Sequence, residues 1–209
     1  MITLRTWMAG MAAVAAIGAG MAAGTTAQLP DPAGALETPA QATQLPPLRV
    51  AEDGPETGYE RAEFGDGWAS AVGPGCDTRD AVLARDLTDT TVEDGYDVTA
   101  GTLHDPYSGQ TSTGPSRRID VDHVVPLALA WRTGAADWSS HRREAFANDP
   151  ANLRAVAAGP NRAKGDKGPE EWMPEAGRCS YARSFAEVAA QWELTVSPAR
   201  VHAIESACA

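Results

Sequence analysis

Apolar positions along this chain come in short groups with different spacings. From Arg79 to Leu87, residues Val82, Leu83 and Leu87 recur at helical spacing behind Asp77-Thr78, which has the composition of a helix N-cap. Tyr96 to Leu103 alternates loosely and runs into Asp105-Pro106-Tyr107-Ser108-Gly109, a turn by composition. A β-hairpin is expected there, with Thr111 to Thr113 on its return strand. A short apolar strand then runs from Ile119 to Val125, carries Asp120, Asp122 and His123, and is stopped by Pro126. A second apolar run spans Asn152 to Val156. Gly159-Pro160 punctuates the chain before a polar helix opened by Asn161 and ended by Gly168-Pro169.

Shorter segments fill the gaps. Leu127 to Trp131 reads as a helix. Ser139-Ser140 caps another, His141 to Ala147, with Phe146 inward and Trp131 and Trp138 covering the core. Tyr181 to Trp192 sets Tyr181, Phe185, Val188, Ala189 and Trp192 on one helical face. Ser197-Pro198 starts a last helix, with Val201 and Ile204 inward. There is no internal repeat.

The N-terminus changes the picture of where this fold operates. Arg5 precedes an apolar run from Trp7 to Ala23, and Thr25-Thr26-Ala27 supplies small residues at a cleavage site. Residues 1–27 therefore read as a signal peptide, and the mature protein is expected outside the cell with no stable membrane association. Residues 28–57 are rich in Pro, Ala, Thr, Gln and Gly and read as a disordered leader. One domain is expected over residues 58–209. Cys179 and Cys208 flank the last two predicted helices, and a bridge between them suits an oxidising compartment. Cys76 is then left over. No Cys-x-x-Cys occurs and the histidines are scattered, which disfavours a structural zinc site.

Net charge is −11, which argues against a protein that simply coats nucleic acid, since such binding rests on cations against phosphates. The charge is uneven. From Arg117 to Lys167 the sequence reads nine Lys and Arg against six Asp and Glu, so this stretch is locally basic within an acidic chain.

That basic stretch holds the candidate chemistry: Asp120-Val121-Asp122-His123-Val124-Val125-Pro126, then Asn152-Leu153-Arg154-Ala155-Val156, then Pro160-Asn161-Arg162-Ala163-Lys164-Gly165-Asp166. In this order the three segments resemble the HNH (His-Me finger) nucleases. Within them the chain looks closest to the secreted bacterial branch related to the HNH domain of GmrSD-type restriction enzymes, and a looser likeness extends from Tyr59 onward. The resemblance implies an α+β fold: a ββα-metal core with an additional β-hairpin and flanking helices. It also implies a metal-dependent endonuclease. His123 is then the general base, Asp122 and Asn161 hold the cation, and Asn152 pins the loop between the strands and orients His123. The cofactor expected is a divalent ion, Mg²⁺ before Mn²⁺, Ca²⁺ or Zn²⁺. The partner is a nucleic acid, DNA before RNA, and the protein acts as a monomer.

The residue types suit that reaction. Phosphodiester hydrolysis needs an activated water, charge relief at phosphoryl oxygens and help for the leaving alkoxide. A His near neutral pKa takes the proton, and carboxylate and amide oxygens hold a hard cation. Lys164, one turn after Asn161, and Arg154 and Arg162 are candidate phosphate contacts. One obstacle is geometric. Neighbours on a regular strand face opposite ways, so Asp122 and His123 share a site only if the strand ends or twists there. Asp120 shares a face with Asp122 and is the alternative ligand. The rival reading is a non-catalytic secreted binding module on the same scaffold. A metallopeptidase is disfavoured by the lack of His-Glu-x-x-His.

Overall fold

The computed structural model describes residues 44–70, 75–115 and 117–209. The signal expected over residues 1–27, and the leader up to residue 43, lie outside that range. The rest of the expected leader is part of the domain, which is a correction. β1 (Arg49–Val50) pairs in parallel with β7 (Thr195–Val196). Asp53 takes both Nη atoms of Arg200 at 3.0 Å, and Glu56 pairs with Arg132 at 3.0 Å. Apart from β1, residues 44–57 are irregular. Their anchor is a buried arginine far along the chain, which local composition does not report.

α1 (Thr78–Asp86) starts where the pattern places it. The Asp77 carboxylate accepts from Asp80 N, and Asp80 answers to Asp77 N, closing a capping box. β2 (Thr88–Glu93), β3 (Asp97–His104) and β4 (Thr111–Gly114) then form an antiparallel meander in the order β2-β3-β4. The expected hairpin is its second half. β2 is exposed at every residue, so it has no apolar face for an alternation to reveal.

β5 (Ile119–His123) and β6 (Leu153–Ala157) form a separate antiparallel pair, regular from Ile119↔Ala157 to His123↔Leu153. α2 (Leu127–Arg132) and α3 (Ser140–Ala147) occupy the connection between them. α4 (Ala158–Lys164) follows β6 directly, then α5 (Arg178–Gln191) and α6 (Pro198–Ser206). α4 begins earlier than expected. Pro160 is accommodated in its first turn, where the missing N–H had no intrahelical partner, so Asn161 lies inside the helix. Gly165, at φ 58°, ends it.

The β5–β6 pair lies between two cores, and this positions the candidate site. Ile119, Leu153 and Ala155 pack with Val82, Leu83, Val98 and Leu103 from α1 and the meander. Val156, on the other face, joins the larger core of Phe146, Tyr181, Phe185, Leu194 and Ile204. The outer edge of β6 is closed by side chains instead of a strand. Asp86 accepts from Ala155 N at 2.8 Å, Asp105 accepts from Ala157 N at 3.0 Å, and Arg85 donates to Leu153 O at 2.6 Å. Cys179 and Cys208 are disulfide-bonded across a separation of 29 residues, and Cys76 is a free thiol. The fold is α+β, with three small sheets and six helices among the described residues.

Candidate functional site

Alternation along β5 divides the expected site between two faces. Asp122 is 7% exposed. Its Oδ2 accepts from the Tyr107 hydroxyl at 2.7 Å, and Lys164 Nζ lies 3.0 Å from Oδ1 and 2.9 Å from Oδ2. The same ammonium donates to the His123 carbonyl oxygen at 2.8 Å. Burial pushes the Asp122 carboxyl up and the Lys164 ammonium down, and each opposes the shift of the other. Lys164 was expected to reach a phosphate, yet it is 0% exposed. Its spacing from Asn161 fixes its place on the helix surface, whereas whether that surface is covered depends on Tyr107 and Asp122.

Asp120 lies on the same face as Asp122, one pleat away, and is half-buried. Asn161 Nδ2 donates to its Oδ2 at 3.1 Å. Arg162 is exposed. Arg154, opposite Asp122 across the pair, donates to Ser184 Oγ at 3.1 Å and lines a groove of about 610 Å³ with Arg85, His104 and Glu187.

His123 points to the other face. Its ring stacks on Trp68, with centroids 6.0 Å apart and planes 12° from parallel, and Nε2 is 2.8 Å from the Ala147 carbonyl oxygen. That carbonyl only accepts, so Nε2 carries the hydrogen and Nδ1 keeps its lone pair. Burial first, and the nearby charges of Arg61 and Lys164 after it, lower the imidazole to about 4 against the pull of Ala147. The ring is neutral at neutral pH. It lines a cavity of about 100 Å³ with Arg61, Gly65, Gly67, Trp68 and Leu127. In sequence Trp68 is legible only as an early large apolar residue, since its partner is supplied by the fold.

Asn152 is fully buried and closes on Val125, accepting from its N–H at 2.8 Å and donating to its carbonyl at 3.3 Å. The group that orients His123 is thus the Ala147 carbonyl, while Asn152 fixes the exit of the strand. Asp105 is also structural: it is buried and holds the turn through Ser108 N at 3.0 Å.

Asp120 and Asn161 are half-buried and offer a carboxylate and an amide oxygen, a small set that a hard divalent cation completes with water. Asp122 is a poor candidate here, because its oxygens already hold an ammonium and a phenol. Among the described residues no group of three or more His, Cys, Asp and Glu is placed to hold an ion. Asp122 and His123 face different partners: β5 stays regular through His123, and the two neighbours make their contacts on its two sides.

β5 and β6 are thus a strand pair followed at once by α4, and together they carry carboxylates, an imidazole and an asparagine. The chain belongs to the family of the C-terminal domain of GmrSD restriction endonucleases, whose model matches residues 77–204. It is 39% identical over 186 residues to a protein of Arthroderma benhamiae described as an uncharacterized secreted protein, covering 87% of this chain and 90% of that relative. No solved structure matches the chain. Family membership makes the function nuclease-related. The protein is secreted, in agreement with the export signal expected at residues 1–27. Among the described residues no helix is long and apolar enough to cross a membrane.

Proposed function

We propose that the protein is a secreted, metal-assisted endonuclease that hydrolyses nucleic-acid phosphodiesters, DNA before RNA, as a monomer, on a ββα unit made of β5, β6 and α4. The observation that carries this reading is the 2.8 Å hydrogen bond between His123 Nε2 and the Ala147 carbonyl oxygen. The Nε2 hydrogen is committed to Ala147, the ring is neutral, and Nδ1 is left as the proton acceptor for an attacking water. In this reading His123 serves the attacking water from one face of β5, and Asp120 with Asn161 on the other hold the ion. A divalent ion at Asp120 and Asn161, with Mg²⁺ the first choice, supplies charge relief on the phosphoryl oxygens and the leaving group. Exposed Arg162 adds positive charge along the substrate path. Asp122 and Lys164 hold β5 and α4 together beneath.

A second reading, a non-catalytic binding module, is favoured by one observation: both oxygens of Asp122 are occupied. Incubating purified protein with supercoiled plasmid and with labelled RNA, under Mg²⁺, Mn²⁺, Ca²⁺, Zn²⁺ or EDTA, separates the two. Ion-dependent nicking that EDTA abolishes supports the nuclease. Intact substrates under every ion select the module.

A further inference from the structure

We propose that Arg61 binds a backbone phosphate of the nucleic acid beside His123, which makes the segment ahead of the family-matched region part of the substrate site. The identity of the ligand rests on the nuclease reading above, and its place rests on separate geometry. Arg61 opens a 3-10 turn, Arg61–Phe64, that is held firmly. Phe64 is 2% exposed in the main core, and Arg143 grips Glu63 through its carbonyl oxygen at 2.9 Å and its carboxylate at 2.6 Å. Gly65 and Gly67, at φ 99° and 134°, adopt backbone that other residues resist, and they swing the chain so that Trp68 lies on the imidazole. One cavity is therefore lined by Arg61, Trp68 and His123 together.

Arg61 is the cation that lines this cavity, whereas Arg143 is paired with Glu63 and Lys164 with Asp122. Arg61 is exposed, and among the described residues it pairs with no carboxylate. A guanidinium presents a planar fork that matches two phosphate oxygens. In a chain of net charge −11, such a group is what draws a polyanion toward the imidazole.

The test is binding of a short fluorescent DNA duplex, measured against salt in a His123→Ala background that removes cleavage. Arg61→Gln is expected to weaken binding about tenfold and to reduce the salt slope by about one phosphate contact. Arg61→Lys should restore the slope and only part of the affinity, and thermal melting should be the same for all three. With His123 intact, Arg61→Gln should raise KM more than it lowers kcat. Equal affinity and slope for Arg61→Gln and its background would overturn the proposal, and so would the absence of any duplex binding. Should the duplex bind and the slope fall while no ion supports nicking, the role of Arg61 stands and the nuclease reading falls.

Discussion

The ammonium of Lys164 lies 2.9 Å from Asp122 Oδ2 and 2.8 Å from the carbonyl oxygen of His123, so one buried cation ties α4 to both residues at the end of β5. The two carboxylates of that strand consequently have different surroundings. Asp122 is enclosed with a counter-ion, and Asp120 meets Asn161 nearer the solvent.

Removing that cation should be costly. Lys164→Met leaves a carboxylate buried without its partner, and a loss of about 3–5 kcal/mol is expected in urea denaturation. The double variant Asp122→Asn with Lys164→Met should recover part of the loss, because neither charge is then stranded. Equal stability of Lys164→Met and the parent would mean that the pair is open to water.

The two aspartates should separate in metal titration. Asp120→Ala is expected to weaken Mn²⁺ binding by on the order of tenfold while leaving the melting temperature nearly unchanged, because it removes one of a few oxygen ligands. Asp122→Ala should mainly lower the melting temperature, since it strands Lys164. His123→Ala should abolish nicking and leave metal affinity largely intact. Calorimetry showing the reverse pattern for the aspartates would make Asp122 the ligand and require Lys164 to withdraw.

His123 should leave a mark on stability against pH. Its pKa is lowered from 6.5 to about 4 in the folded protein. Between those values the unfolded chain binds a proton that the folded one refuses. The contribution is therefore complete above about pH 6.5 and lost as pH falls toward 4, amounting to roughly 3 kcal/mol. Denaturation at several pH values should show this slope in the parent and its absence in His123→Gln.

The Cys179–Cys208 bridge closes a loop across 29 residues around α5 and α6. Reduction should lower stability by roughly 3 kcal/mol through the entropy of that loop. Melting curves with and without reductant measure it. No change on reduction would show that the packing of α5 and α6 alone holds the C-terminus.

Much was legible in the residues themselves. The N-cap at Asp77, the strand pair carrying Asp122 and His123, the amphipathic face of α5 and the proline start of α6 depend on near neighbours, and local spacing reports near neighbours well. β2 has no apolar face to announce it, and residues 44–57 are held by Arg200, whose partner Asp53 lies 147 residues away.

For the site, the sequence alone determined which groups occur and in what order: two carboxylates and an imidazole on one strand, an asparagine and a lysine on the helix after its partner. Tertiary structure alone decided what each group faces. Lys164 meets Asp122 because α4 folds onto one side of β5, and Trp68 meets His123 because the N-terminal turn folds onto the other. Side-chain alternation fixes that these partners lie on opposite faces, but which surface comes to cover each face is set by long-range packing that no local pattern encodes.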